Sequence, residues 1–128
     1  MTSASSRYLL VALGGLVGSV ARYWLAGVVQ GLTDHGFPTG TLAVNVIGSL
    51  VIGTVMTLSV ERGLVGDDVR ILLTAGFCGG FTTMSTFSYE TLALLRGGER
   101  LLAFGNVGVT FVTCLAAAWM GSMIARIL

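Results

Sequence analysis

The chain has 128 residues, of which 54% are apolar and 10% are charged, and its mean hydropathy is +0.88. A soluble domain carries about 25% charged residues, so this composition excludes that class and predicts a single membrane domain over residues 1–128. Seven arginines, no lysine and six acids give a net charge of +1. The chain therefore lacks the basic stripe of a nucleic-acid-binding protein.

Four apolar stretches are long enough to cross the bilayer as helices, which takes about 20 residues each. They cover approximately residues 8–29, 41–60, 71–95 and 101–127. The first stretch continues far beyond the apolar core of a signal peptide and is interpreted as a retained span. The sequence thus predicts an all-α, multi-pass protein of the cell membrane with both termini on one side.

The arginines at the ends of these spans give a weak orientation signal. One side carries Arg7, Arg62, Arg70 and Arg126, and the other carries Arg96 and Arg100. A chain with so little charge bias can insert in both directions, which favours an antiparallel homodimer. Three glycine pairs are spaced for close contact between helices, and a dimer is the simplest use for them. These pairs are Gly14/Gly18, Gly27/Gly31 and Gly76/Gly80, although glycine-rich spans also contain this spacing by chance.

Arg22 lies inside the first span, where a charge facing lipid would cost about 2.5–3.5 kcal/mol on insertion scales. It either reaches the headgroups from the end of the span or marks the mouth of an anion path. In the second span, Thr41, Asn45 and Ser49 are four residues apart and share one helix face. An asparagine amide at this depth bonds to another helix or to a ligand, and both interpretations stay open.

The third span carries glycines and hydroxyls at its centre, between Gly79 and Ser88. Adjacent glycines at 79 and 80, followed by Thr82 and Thr83, favour a break in the helix. Unwound backbone survives at membrane depth only where protein or a polar cavity covers it, and its carbonyls can bind a small cation such as sodium. The nearest acid is Glu90, about two turns further along.

No residues form a catalytic constellation, so the sequence argues against an enzyme. The single histidine, His35, is expected in a loop facing solvent. Cys78 and Cys114 lack the spacing of metal ligands and are interpreted as small apolar residues.

Three motifs, in order along the chain, resemble the Fluc (also called CrcB) family of fluoride channels, over nearly the whole length. They are Gly14-Gly15-x-x-Gly18-x-x-x-Arg22, Gly40-Thr41-Leu42-x-x-Asn45, and Gly76-x-x-Gly79-Gly80-x-Thr82-Thr83-x-Ser85-Thr86-Phe87-Ser88-x-Glu90. The resemblance implies four spans with a broken third helix, in an antiparallel, dual-topology homodimer with two pores. It implies passive export of fluoride, which lowers the toxicity of the ion.

The same resemblance implies roles for individual residues. The pore would be lined by Thr41, Asn45, Met84, Ser85, Thr86, Phe87, Asn106 and Thr110, with Arg22 and Glu90 at a vestibule. Backbone carbonyls of Gly79 and Thr82 from both subunits would bind a structural sodium ion. Two positions depart from the family pattern: Met84 replaces a phenylalanine, and Asn106 replaces a residue that is often tyrosine. A ring edge is positive and can contact an anion, whereas a methionine lacks that edge, so a changed conduction rate is expected.

Two other classes of membrane protein fit four short spans. A small dual-topology multidrug exporter would exchange protons for cationic drugs and needs a carboxylate inside the membrane. Glu90 is the one candidate for that carboxylate, while the first span carries Arg22 instead of an acid. A membrane assembly subunit that transports nothing would use the hydroxyls only as contacts between helices.

Overall fold

The computed structural model describes residues 3–33 and 35–128 and contains only helices and connecting turns over those ranges. Residues 1–2 and Asp34 of the predicted domain therefore lie outside the described residues. Helix α1 spans Ala4–Leu32. Helix α2 spans Thr39–Met56 and ends in a π-helical turn, Thr57–Glu61. Three of the predicted spans are confirmed as helices long and apolar enough to cross a membrane: Ala4–Leu32, Thr39–Glu61 and Arg100–Ile127.

The third predicted span is divided into two helices. Helix α3 is an uninterrupted run of Asp67–Ile71, a π-helical stretch Leu72–Cys78 and Gly79–Phe81. Helix α4 spans Met84–Arg96, and helix α5 spans Arg100–Ile127. The interruption between α3 and α4 confirms the predicted break in the third helix.

The ends of the helices carry local signals that explain where they begin and turn. Ser3 caps α1, because its Oγ accepts a hydrogen bond from the Ser6 N–H at 3.3 Å. Pro38 precedes α2, and Asp67 and Asp68 lie in the first turn of α3, where negative charge favours the helix dipole. Gly63 has a φ of +64°, a left-handed conformation that suits the turn between α2 and α3.

Helices α1 and α3 run parallel to each other, because Gly14 lies against Gly76 and Arg22, two turns later, bonds to Gly80. Helices α2 and α5 also lie side by side and parallel. Thr57 Oγ1 donates to Ser122 Oγ at 2.8 Å, and Arg126 pairs with Glu61 at 3.0 Å one turn further along both helices. The α2–α3 turn and the end of α5 therefore lie at one end of the bundle.

Glycines form a close seam between α1 and α3. A Cβ on Gly76 would lie 3.0 Å from the Gly14 Cα, and a Cβ on Gly80 would lie 2.5 Å from the Gly15 carbonyl oxygen. Gly14 and Gly18 are buried against the same stretch of α3. Two of the three glycine pairs are thus used within the chain, so the expectation that they serve a dimer is wrong for them. The third pair, Gly27/Gly31, has no neighbouring atom within 4 Å of a built Cβ.

The outer surface of the bundle is apolar. Leu16, Val20 and Phe104 point away from the other helices with 66–71% of their surface exposed. The interior holds small residues such as Val44 and Ala103, together with the polar Asn106. This inverted distribution is that of a bundle whose outer side chains face lipid.

Candidate functional site

The helix break falls on two threonines. Thr82 (φ −90°, ψ 158°) and Thr83 (φ −151°, ψ 109°) are extended, while Gly79 and Gly80 remain helical. The sequence assigned the break to the glycine pair together with the threonines, and the glycine part of that prediction is wrong. Gly80 is needed instead for contact with α1, since a side chain there would meet the Gly15 carbonyl.

Asn45 of α2 holds the break open with both ends of its amide. Its Oδ1 accepts a hydrogen bond from the Thr83 N–H at 2.8 Å, and its Nδ2 donates to the Thr83 carbonyl at 3.2 Å. In a continuous helix that N–H would bond to the carbonyl of Gly79. Asn45 therefore accepts the N–H that a continuous helix would direct to Gly79, and the Gly79 carbonyl is left without that donor. The interhelical contact predicted for Asn45 is present, and its role in a pore stays a prediction.

Arg22 of α1 holds the other side of the break. Its Nε donates to the Gly80 carbonyl at 3.0 Å, and the contact is partly buried. A cation bonded to a carbonyl in this position satisfies both groups at a depth where each would be costly alone. The guanidinium therefore faces protein at Nε, and its place at a vestibule stays a prediction.

The predicted sodium ligands are backbone oxygens rather than side chains. Within residues 3–33 and 35–128, no three His, Cys, Asp or Glu residues are grouped to hold a metal ion. The carbonyl of Gly79, released from its helical N–H by Asn45, has the chemistry that a hard cation prefers. Thr82 adds a second carbonyl in extended backbone. The chemistry of the carbonyls at the break thus fits the predicted ligand set, and sodium binding stays a prediction.

A cavity of about 550 Å³ lies along α2, α3, α4 and α5 beside the break. Its wall is mostly apolar, and a few donors and carbonyls interrupt it. It brings together six of the predicted site residues: Asn45, Gly79, Thr82, Met84, Phe87 and Thr110. It does not include Arg22, Thr41, Ser85, Thr86, Glu90 or Asn106.

The start of α4 carries a cluster of hydroxyls. Thr83 caps the helix, because its Oγ1 accepts from the Thr86 N–H at 3.2 Å and donates to the Thr86 Oγ1 at 3.0 Å. Ser85 Oγ lies 3.3 Å from the Thr83 Oγ1 and is exposed. Met84 is 73% exposed, and Phe87 is half-buried one turn later. In a single chain, Met84 and Ser85 point out of the bundle rather than into it.

Thr41 and Glu90, which the sequence assigned to different parts of the path, are direct partners. Thr41 Oγ1 donates to Glu90 Oε1 at 2.9 Å, and Thr41 is 5% exposed. The other carboxylate oxygen of Glu90 is buried and accepts no hydrogen bond from the described residues. A second cavity of about 420 Å³ reaches Glu90 from the loop end of the bundle, past Gln30, Phe37 and Glu99.

Polar residues of α5 bond inward rather than to the break. Asn106 is 1% exposed, and its Nδ2 donates to the Thr91 Oγ1 at 2.9 Å. Thr110 Oγ1 donates to the Asn106 Oδ1 at 3.3 Å. Thr91 is absent from the set of residues predicted from the sequence. Its position one turn after Phe87 on the same helix face is the signal that could have identified it.

The sequence profile described as "CrcB-like protein, Camphor Resistance (CrcB)" matches residues 9–122. This chain belongs to the CrcB family. A relative from Geobacter metallireducens, named "Fluoride-specific ion channel FluC", is 50% identical over 116 residues, or 91% of this chain and 94% of the relative. Relatives with the same name come from Geobacter sulfurreducens (51% identical, 92% and 95% covered) and Pelobacter propionicus (48% identical, 100% and 96% covered).

CrcB membership, together with the three long apolar helices, identifies a multi-pass protein of the cell membrane, as the sequence predicts. The family comparison also confirms the prediction that this chain is not an enzyme, because the CrcB relatives are named as ion channels. The matched residues 9–122 include the helix break, Asn45 and Thr110.

Proposed function

We propose that this chain is a subunit of a passive, fluoride-selective channel that lets cytoplasmic fluoride leave the cell and so lowers its toxicity. The carrying observation is a neutral donor, the Asn45 amide, beside a helix break and a cavity that also reaches the hydroxyl of Thr110. Relatives about half identical over nearly the whole chain, all named as fluoride-specific channels, support the same ion.

Fluoride is small and strongly hydrated, so a pore must replace its water with several donors at once. Amide and hydroxyl groups do this without a full charge, and donors spaced for fluoride fit the larger chloride less well. Arg22 and the donor hydrogens would oppose a cation. Phe87 would offer the positive edge of its ring. A negative-inside potential favours exit of an anion by about 2.3 kcal/mol per 100 mV, so no coupled energy source is needed.

The divided third segment would cross the membrane as a fourth span. Residues 67–81 and 84–96 form two helices that rise about 20 Å each, which together exceed the thickness of the hydrocarbon core. At their junction, the Gly80 carbonyl is paired with Arg22 and the Thr83 carbonyl with Asn45, and Gly79 and Thr82 line the cavity. Broken backbone at membrane depth is stable under those conditions.

The functional unit would be an antiparallel, dual-topology homodimer with two pores. The weak arginine bias supports insertion in both orientations. The outward positions of Met84 and Ser85, and the open cavity beside the break, support a second copy as the missing wall. Carbonyls of Gly79 and Thr82 from both copies would hold the structural sodium, whose role is to tie the two breaks together. Within each copy, Arg22 on the Gly80 carbonyl and Asn45 on Thr83 would fix the backbone next to those carbonyls.

Efflux of fluoride from proteoliposomes, followed with a fluoride electrode, tests this function. Rapid efflux without a proton gradient, blocked neither by chloride nor by cationic drugs, is the expected result. Drug–proton exchange without fluoride efflux would identify an exporter and would make Glu90 its carboxylate. Neither activity, from protein that reconstitutes as an intact dimer, would leave a membrane assembly subunit as the function.

A further inference from the structure

Thr82, which lies in the break, is held at three points. Its Oγ1 donates to the Cys78 carbonyl at 2.9 Å, and its N–H donates to the same carbonyl at 3.0 Å. Its methyl group packs against Gly48 of α2, where a built Cβ would overlap the Thr82 Cγ2. Gly48 and Thr82 both line the cavity beside the break.

Gly48 can receive this methyl group because it has no side chain. The Oγ1 and Cγ2 of a threonine share one Cβ, so a single torsion angle places both of them. A side chain on Gly48 would push the methyl group away, and the hydroxyl would then leave the Cys78 carbonyl or the backbone of Thr82 would move. The Gly48 carbonyl in turn accepts a hydrogen bond from the Cys78 Sγ at 3.8 Å. The two sides of this contact are therefore tied together.

The remaining polar group of Thr82 is its carbonyl. Thr82 is extended, with φ −90° and ψ 158°, and its carbonyl accepts no hydrogen bond from residues 3–33 or 35–128. We propose that Gly48 is a positioning residue for the cation site at the break, because by receiving the Thr82 methyl group it sets the direction of the Thr82 carbonyl. This inference rests on the sodium site of the proposed function and is independent of which anion the chain conducts. A hard cation prefers such carbonyl oxygens.

Thermal unfolding of the purified protein in detergent tests this role. Sodium chloride is increased while N-methylglucamine chloride keeps the ionic strength constant. A cation that binds only the folded protein raises the unfolding temperature as its concentration increases, and the wild type is expected to show this rise. Gly48→Ala is expected to need about tenfold more sodium for the same rise above its own sodium-free value, the factor that one hydrogen bond to a charged group represents.

A double-mutant cycle with Thr82→Ser tests the contact itself. Serine keeps the hydroxyl and removes the methyl group, which leaves space for a Cβ on Gly48. Thr82→Ser alone is expected to raise the required sodium concentration at most about fourfold, the factor for one buried methyl group. Adding Gly48→Ala to Thr82→Ser is expected to lower that concentration again. An equal increase from Gly48→Ala in both backgrounds, or no increase in the wild-type background, would overturn the positioning role.

Gly53→Ala is the matched control for packing. Gly53 lies further along α2 and outside the lining of the cavity, and a Cβ there would overlap the Ala118 carbonyl of α5. This variant is expected to unfold at a lower temperature in N-methylglucamine but to need the wild-type sodium concentration for its rise. A sodium requirement increased as much as in Gly48→Ala would reveal a general packing effect and overturn the role of Gly48.

Gel filtration shows which variants fold. If Gly48→Ala alone does not fold, Thr82→Ser and the double variant decide the question. A lower sodium requirement in the double variant than in Thr82→Ser supports the positioning role, and an equal or higher one overturns it.

Fluoride efflux from the same preparations separates this inference from the fluoride function. A wild type that conducts fluoride, but whose unfolding temperature does not respond to sodium, would overturn the cation site and the role of Gly48 while the fluoride function stands. A wild type that responds to sodium without fluoride efflux would overturn the channel and leave the cation site.

Discussion

Replacing Asn45 by leucine removes both hydrogen bonds that hold the helix break open. Leucine keeps the branched shape of asparagine and replaces the amide oxygen and nitrogen by methyl groups, so the change removes the hydrogen bonds of the amide. After the substitution, the Thr83 N–H and carbonyl lose partners at 2.8 and 3.2 Å. Ser49→Ala is the matched control, because Ser49 lies one turn away on α2 and bonds only to the carbonyl of Asn45 in its own helix.

The expected loss follows from the number of bonds and from their surroundings. A buried group left without a partner costs about 1–3 kcal/mol. Interhelical hydrogen bonds in membrane proteins average about 0.6 kcal/mol and reach about 1.7, because the unfolded chain in the membrane also finds partners. Two bonds therefore amount to about 1–3 kcal/mol of the free energy of unfolding. Part of this loss is recovered if Thr83 returns its N–H to Gly79 and the break closes.

Thermal unfolding in detergent and fluoride efflux from proteoliposomes measure the two consequences. Asn45→Leu is expected to unfold at a lower temperature than the wild type and to conduct fluoride at least about tenfold more slowly, the factor that 1.4 kcal/mol represents. Ser49→Ala is expected to match the wild type in thermal unfolding, because its hydroxyl bonds only within its own helix. If Asn45→Leu behaves as Ser49→Ala does, the amide does not maintain the break and the reasoning from its two bonds is refuted.

Three further predictions concern packing, conduction and charge. Gly18→Ala is expected to lower the free energy of unfolding by about 1–3 kcal/mol, since a Cβ there would overlap backbone of α3, whereas Gly27→Ala has open space and should be neutral or slightly stabilising in thermal unfolding. If both substitutions destabilised the protein equally, the close contact of Gly18 with α3 would not be what makes Gly18→Ala costly. Met84→Phe adds a positive ring edge and is expected to alter the rate of fluoride efflux; an inactive wild type rescued by phenylalanine would refute conduction through a methionine-lined path. Arg22→Leu removes the charged donor to Gly80 and is expected to cost about 1.5–3 kcal/mol in thermal unfolding. An unchanged unfolding temperature would mean that water replaces the guanidinium.

The helical class and the positions of the long spans were predictable, because a 20-residue apolar run has few alternatives in a membrane. Their ends were less predictable. Helix α1 extends from Ala4 to Leu32, beyond the predicted 8–29. Ser3 caps its start, and the polar Gln30 near its end allows the helix to continue beyond the lipid. The divided third segment was also predictable in kind, from polar and glycine residues at its centre.

The exact position of the break depends on contacts with other helices and was not predictable from the third segment alone. Gly79 and Gly80 have intrinsic freedom to unwind, yet the contact of Gly80 with α1 uses its missing side chain in helical form. Thr83 unwinds because Asn45, 38 residues away in the chain, takes its backbone groups. The pairing of Thr41 with Glu90 and of Thr91 with Asn106 likewise depends on how the helices meet. Single-residue patterns carry no record of such pairings.

The break is anchored from two sides by different helices, with Arg22 on Gly80 and Asn45 on Thr83. A peptide of residues 67–96 alone would have neither anchor, and lipid offers no substitute donor or acceptor. Such a peptide would recover its missing bonds by closing into one straight helix. The discontinuity therefore belongs to the assembled bundle and requires that the third segment contacts both α1 and α2.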